Sequence, residues 1–177
     1  MDAYTWGSTP AERADAFPCD RHLTNGDTSL FRALDISAPA RVVFRWLCQL
    51  RVAPYSYDWI DNWGRTSPRT LTPGVERLAP GQVVMSIFEL VEFERDRHLT
   101  IRIRDRRALR AFGDVAGTYR VHPTSPTTSR LVVKLVVGYP RSWYGAVLRW
   151  LLPWADLVMM RRQLLTLKEL AEQHRHP

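Results

Sequence analysis

Apolar residues fill nearly every position from Trp143 to Met160 and then thin to a narrower stripe of Leu164, Leu165, Leu167 and Leu170. A helix that is apolar on all sides is one that is covered on all sides, so this run reads either as a membrane segment or as a helix laid across a core or cavity. Arg149 and Asp156 lie inside it with Pro153 between them. Each charge would cost roughly 2.5–3.5 kcal/mol near a bilayer centre, which argues against a span. A tryptophan-rich helix of this kind still suits resting on a membrane surface. Pro153 lacks an amide hydrogen and crowds the preceding turn, which predicts a kink or break around 149–152.

Elsewhere the period falls to two. In 82–93, Val83, Met85, Ile87, Glu89, Val91 and Phe93 alternate onto one face, and after a turn at 94–97 Leu99, Ile101, Ile103 and Asp105 oppose His98, Thr100, Arg102 and Arg104. That is a hairpin with an apolar and a basic side. Val115, Gly117, Tyr119 and Val121 oppose Thr118 and Arg120, and Leu131, Val133, Leu135 and Val137 oppose Arg130 and Lys134. A first strand is expected over 29–37, followed by a helix over PARVVFRWLCQL with Ser37 as its cap and Pro39 near its start. Pro54 stops that helix, and a short second helix and a long loop follow. Residues 1–27 show little periodicity and read as an arm, in which 11–17 forms a short helix over an edge. The order is strand, two helices, antiparallel strands and one long terminal helix: an α+β chain with an N-terminal arm (1–27) and a single domain (28–177). A curved antiparallel sheet with one apolar face must be covered, and the terminal helix alone is long enough to cover it.

Charge changes the picture little. The net charge is +7, and all of the 25 basic residues except Lys134 and Lys168 are arginine. Such a balance raises nucleic acid and anionic membrane as partners. The arginines are scattered and no nucleic-acid motif accompanies them, so nucleic acid is not expected, whereas transient contact with anionic membrane stays open. Cys19 and Cys48 form no metal spacing and are expected to be reduced. No HExxH, phosphate loop or GxSxG is present, and neither metal nor cofactor is expected. The opening residues carry no signal-peptide pattern, so a cytoplasmic location is expected. Oligomeric state is not legible.

Three groups of side chains carry candidate chemistry. Glu89 and Asp105 interrupt otherwise apolar strand faces, and Tyr119 shares such a face. A sheltered carboxylate has a raised pKa and can exchange a proton near neutrality, as a general acid or base must. The competing reading pairs Glu89 with Arg32, whose own alternation sets it among Leu30, Leu34 and Ile36. In the second group, Tyr55, Tyr57, Trp59 and Trp63 interleave with Asp58, Asn62 and Arg65, a mixture suited to a pocket rim or to plugging the end of the core. In the third, Trp143, Val147, Trp150, Leu151, Trp154 and Val158 recur at helical spacing and are expected to face the sheet, lining whatever space remains.

The layout, together with the strings LFRALDISAPARVVFRWLCQLRVAPYSYDWIDNWGR and MSIFELVEFE, resembles the START/Bet v 1-like (SRPBCC) helix-grip superfamily, and within it the polyketide cyclase/dehydrase and lipid-transport group. The resemblance covers about 29–173. It implies a deep cavity between sheet and terminal helix that holds a hydrophobic small molecule; members bind lipids, sterols, hormones or polyketide intermediates, and some catalyse cyclisation or dehydration. No shared catalytic set accompanies it, so no family site is carried onto these positions. Three functions follow as expectations: a binding protein for a hydrophobic, lipid or aromatic polyketide-like molecule; a cofactor-free cyclase or dehydratase using a buried carboxylate; and a peripheral lipid carrier.

Overall fold

The computed structural model describes residues 2–24, 26–57, 64 and 66–174. Six strands form one antiparallel sheet in the order β1-β6-β5-β4-β3-β2: β1 is Thr28–Ile36, β2 Val83–Val84, β3 Phe88–Glu94, β4 His98–Ile103, β5 Asp114–Pro123 and β6 Ser129–Gly138. After β1, α3 (Ala40–Cys48) continues into a tighter turn at Gln49–Arg51. Pro39, and not Ser37, stands at the cap position of α3, where no side chain bonds the first turn. The second helix expected beyond Pro54 falls largely on 58–63, outside the described residues.

The terminal helix, Trp143–Gln173, continues for 31 residues with Pro153 inside it. The chain therefore does not break at the proline. Leu164, Leu167 and Leu170 close it down over the concave face of the sheet, in one core with Leu30, Trp46, Ile101 and Val133. Burying each such side chain contributes about 1.5–3 kcal/mol, so this seam fixes the helix against the sheet. This is the α+β helix grip that the order of elements led us to expect.

The N-terminal arm does more than cover an edge. Its first stretch extends the sheet: Phe31 and Ala33 of β1 donate their amides to the carbonyls of Tyr4 and Trp6 (2.6 and 3.0 Å). That satisfies a strand edge otherwise open to aggregation. α1 (Pro10–Ala14) is held by a capping box between Thr9 and Glu12. α2 (Cys19–His22) then lies on the outer face, where Phe17 and Cys19 pack with Phe31, Ala116 and Val132 in a second, smaller core. The arginines and lysine that alternation assigns to this face are thereby used structurally: Arg120 sits over the Phe17 ring at 3.8 Å, and Lys134 pairs with Asp20 at 2.6 Å. Both cysteines are buried and free. Burial pushes the Cys48 thiol up to about 12, and Cys19 upward for the same reason, which leaves them unreactive.

Candidate functional site

Sheet and terminal helix do not meet everywhere. Between the middle of the helix and the strands that face it lies a cavity of about 310 Å³. Its walls are apolar: Leu30 of β1, Ile101 and Ile103 of β4, Val115 of β5 and Leu135 of β6 on the sheet side, and Leu152, Met159 and Met160 on the helix side. The sheet contributes these residues because period-two alternation sends them all to one face. Phe112, at the end of a helix not expected from sequence, α4 (Arg106–Phe112), stands at the mouth together with Ala155.

A few polar groups reach into this apolar space. Tyr119 is fully buried and donates its hydroxyl to Oε1 of Gln163 at 2.7 Å. Gln163 Nε2 in turn donates to the Pro54 carbonyl at 2.6 Å, which ties the chain after α3 to the terminal helix. Asp156 also faces the cavity. Its Oδ2 accepts from Arg32 Nη2 at 2.7 Å, and the same guanidinium donates to the carbonyls of Phe31 and Pro153. Arg32 is wholly buried, and its Nε has no hydrogen-bond partner among the described residues. Burial raises the Asp156 carboxyl to about 6, and the adjacent Arg32 charge restrains that rise without cancelling it. Burial also pushes the Tyr119 hydroxyl upward, so it remains a neutral donor at every physiological pH. The cavity thus offers an apolar volume with one titratable acceptor and one phenol on its wall.

Of the residues singled out from sequence, Tyr119 is in the cavity. Glu89 is not: it stands opposite Arg102 in the β3–β4 register, while its neighbours Phe88 and Leu90 face inward. The reason is local. Met85 and Ser86 both take positive φ (46° and 64°), so the chain turns between β2 and β3 and the count of two is reset. The suggested Glu89–Arg32 pair gives way to Arg32–Asp156. Asp105 is the N-cap of α4, accepting from the amides of Arg107 and Ala108 at 2.9 and 2.8 Å. Tyr55 is buried outside the cavity, edge-on to Trp46 with its hydroxyl on the Pro68 carbonyl, and thus plugs the core; Tyr57 is half-buried and does not line the cavity. Asp58, Trp59, Asn62, Trp63 and Arg65 lie outside the described residues.

The terminal helix presents the opposite face from the one expected. Trp143, Val147, Trp150, Leu151, Trp154 and Val158 point to solvent, Trp143 with 84% and Trp150 with 69% of its surface exposed. The inward face is Leu152, Asp156, Met159, Met160 and Gln163. Sequence reading missed these, although a signal was available: the amphipathic C-terminal half, with Leu164, Leu167 and Ala171 buried and Arg161, Arg162 and Glu169 exposed, sets a phase that can be extended backwards through the apolar half. Among the described residues no group of three His, Cys, Asp or Glu side chains converges in a way that would hold a metal ion. No helix there is long and apolar enough to cross a membrane.

No family model matches the sequence, and no curated protein matches it. Solved structures do. A Thermobifida fusca protein solved in solution superposes with a TM-score of 0.56 at 17% identity, over 84% of this chain and 97% of that one. The Zhui aromatase/cyclase from Streptomyces sp. R1128 gives 0.56 at 15% identity, over 84% and 95%. The di-domain aromatase/cyclase BexL of the BE-7585A biosynthetic pathway gives 0.51 at 15% identity, over 84% of this chain and 48% of that chain. At such identities the likeness is one of fold, and it agrees with the sheet order, the enclosing terminal helix and the cavity between them: this chain has the helix-grip fold.

Proposed function

We propose that this protein binds a hydrophobic small molecule in the cavity between the sheet and the terminal helix. The apolar cavity of about 310 Å³ carries this reading. It lies at the lower end of the ~300–1,000 Å³ typical of ligand pockets, a size for a compact, few-ring or short-chain molecule. Asp156 and the Tyr119 hydroxyl are the groups that would orient it, the carboxylate by accepting from a ligand hydroxyl. Apolar walls supply affinity and a few fixed polar atoms supply orientation. Native mass spectrometry of the freshly purified protein, followed by organic extraction, tests the reading directly. A stoichiometric apolar compound is expected, or else saturable binding of a naphthalene sulfonate dye that Ala155→Trp at the cavity mouth abolishes. An empty protein that binds no dye would end the proposal.

A second reading is favoured by one observation, the Asp156 carboxyl held near a pKa of about 6 beside a phenol inside an apolar cavity. Such a group suits a cyclase or dehydratase acting on a carbonyl-rich, polyketide-like ligand. Asp156 would take a proton from the carbon next to a carbonyl. The resulting enolate would add to a second carbonyl, whose oxygen would take the proton back. The structural neighbours named aromatase/cyclase make this class the one to assay. Asp156→Asn separates the two readings: an enzyme loses turnover while retaining ligand, and a binding protein shows no turnover to lose.

A further inference from the structure

Among the described residues, the outward face of the terminal helix is exposed and does not line the cavity. Trp143, Val147, Trp150, Leu151, Trp154 and Val158 recur at spacings of three and four, so they form one stripe on one side of the helix, about 22 Å long at 1.5 Å per residue. All six are exposed. Single exposed apolar side chains are ordinary, but a contiguous stripe with three tryptophans marks an interaction surface.

The charges around the stripe decide its partner. Arg141 precedes it and Arg161 and Arg162 follow it, all exposed. Between Arg141 and Arg162 the only carboxylate is Asp156, and it is turned inward onto Arg32. The Tyr144 hydroxyl donates to the Arg110 carbonyl at 2.9 Å, which brings α4, with exposed Arg106, Arg107 and Arg110, alongside the start of the stripe. A tryptophan-rich apolar strip bordered by arginines matches the headgroup layer of an anionic bilayer, where indole rings settle at the interface and arginines meet phosphates. A second copy of the chain fits less well, because a two-fold pairing of this face sets the same arginine border against itself.

We propose that this face docks the protein on anionic lipid, lying in the interface without spanning it. Docking also brings the cavity mouth toward the bilayer: Ala155, next to Trp154 in the helix, lines the cavity and is itself exposed, as is Phe112. The inference rests on the stripe and its charges, not on what the cavity holds.

Flotation of the full chain with vesicles tests it. At low salt, vesicles of phosphatidylcholine with about 30% phosphatidylglycerol are expected to retain at least ~10-fold more protein than phosphatidylcholine alone, since each arginine near an anionic surface is worth about fivefold in binding. About 0.5 M salt should remove most of that preference. The triple variant Trp143→Ser/Trp150→Ser/Trp154→Ser should lose binding about 10-fold or more while keeping its melting temperature, because it changes only exposed side chains. Arg141→Gln/Arg162→Gln should lose the preference for anionic lipid and keep its fold. Absence of binding at low salt, or a triple variant that binds like the wild type, overturns the proposal. So does light scattering that shows a dimer dissolved by the triple variant, which would assign the face to a second copy. Dye binding in the cavity, measured on the same triple variant, is expected to be unchanged, so failure of docking and failure of the ligand-binding proposal are read separately.

Discussion

Arg32 Nη2 lies 2.7 Å from Asp156 Oδ2, joining the sheet's edge strand β1 to the terminal helix inside the fold. The arginine is wholly buried and cannot give up its proton, so the carboxylate is the adjustable member of the pair. Removing the cation alone leaves Asp156 in an apolar wall with no counter-charge. Arg32→Met is therefore expected to destabilise the protein by about 3–5 kcal/mol at pH 8. The loss should shrink at pH 5, where the carboxyl is largely protonated. Urea unfolding of both proteins at the two pH values checks this; equal losses at both would show that the arginine acts through packing alone.

The same carboxyl makes stability depend on pH with an unusual sign. Its folded pKa, about 6, lies above its ordinary value of 3.8. The folded state therefore holds the proton more tightly than the unfolded chain. Its contribution is fully present below pH 3.8 and is lost as pH rises through about 6, a total of about 3 kcal/mol. Glu12 behaves oppositely: its bonds to Arg130 and to Thr9 lower it from 4.5 to about 2, so its contribution is present above pH 4.5 and lost as pH falls through about 2. Wild type minus Asp156→Asn isolates the first effect. That difference should fall between about pH 4 and pH 6 and be flat above pH 7; a difference that rises over this interval would contradict the assigned environment.

Tyr119 and Gln163 should act as one unit. Tyr119→Phe deletes the hydroxyl that Gln163 Oε1 accepts from, leaving a buried acceptor, at a cost of about 1–3 kcal/mol. Gln163→Leu also releases the Pro54 carbonyl and should cost more. The double variant should cost less than the sum of the two, by ~1 kcal/mol, when unfolding is followed by circular dichroism. Strict additivity would mean that the bond contributes nothing.

Much of the fold was legible because strand alternation is a local property. Val115 and Tyr119, or Leu131 and Val133, share a face whatever else the chain does, and the sheet order places those faces together. What failed did so where a local count was carried across a change of backbone. The positive φ of Met85 and Ser86 turned Glu89 outward. Alternation alone makes Asp105 the end of a strand, but an Asp that caps a short run closed by a Gly also fits a helix, here α4 with Gly113 just past its end. In the terminal helix, apolar residues at nearly every position leave spacing unable to choose a face, and the choice between Trp154 and Asp156 depends on phase from the amphipathic half. Asp156 itself looked like a charge that made a membrane span costly. Its partner Arg32 is 124 residues away, and that pairing exists only once the helix lies on β1.

The arm's place on the outer face makes a last prediction. Phe17 is buried edge-on to Phe31 at 6.1 Å between ring centroids, and the Arg120 guanidinium lies over the Phe17 ring at 3.8 Å. The Arg120 guanidinium also donates to the Ala16 carbonyl at 2.6 Å, and the Cys19 amide donates to the Thr118 hydroxyl at 3.0 Å, so this one contact region ties the arm to β5. Phe17→Ala removes the aromatic pair and the ring under the guanidinium together, and should cost about 3–5 kcal/mol, the range for a large buried aromatic. Because the outer face is separate from the cavity wall, the loss should appear as reduced stability with unchanged dye affinity in the cavity under native conditions. Hydrogen exchange gives the sharper reading: the amides of Phe31 and Ala33, which the arm's Tyr4 and Trp6 carbonyls protect, should exchange faster in the variant, while those of the β4–β5 ladder keep their relative protection. Uniform loss of protection across the whole sheet would instead make the arm part of a single cooperative unit with the core.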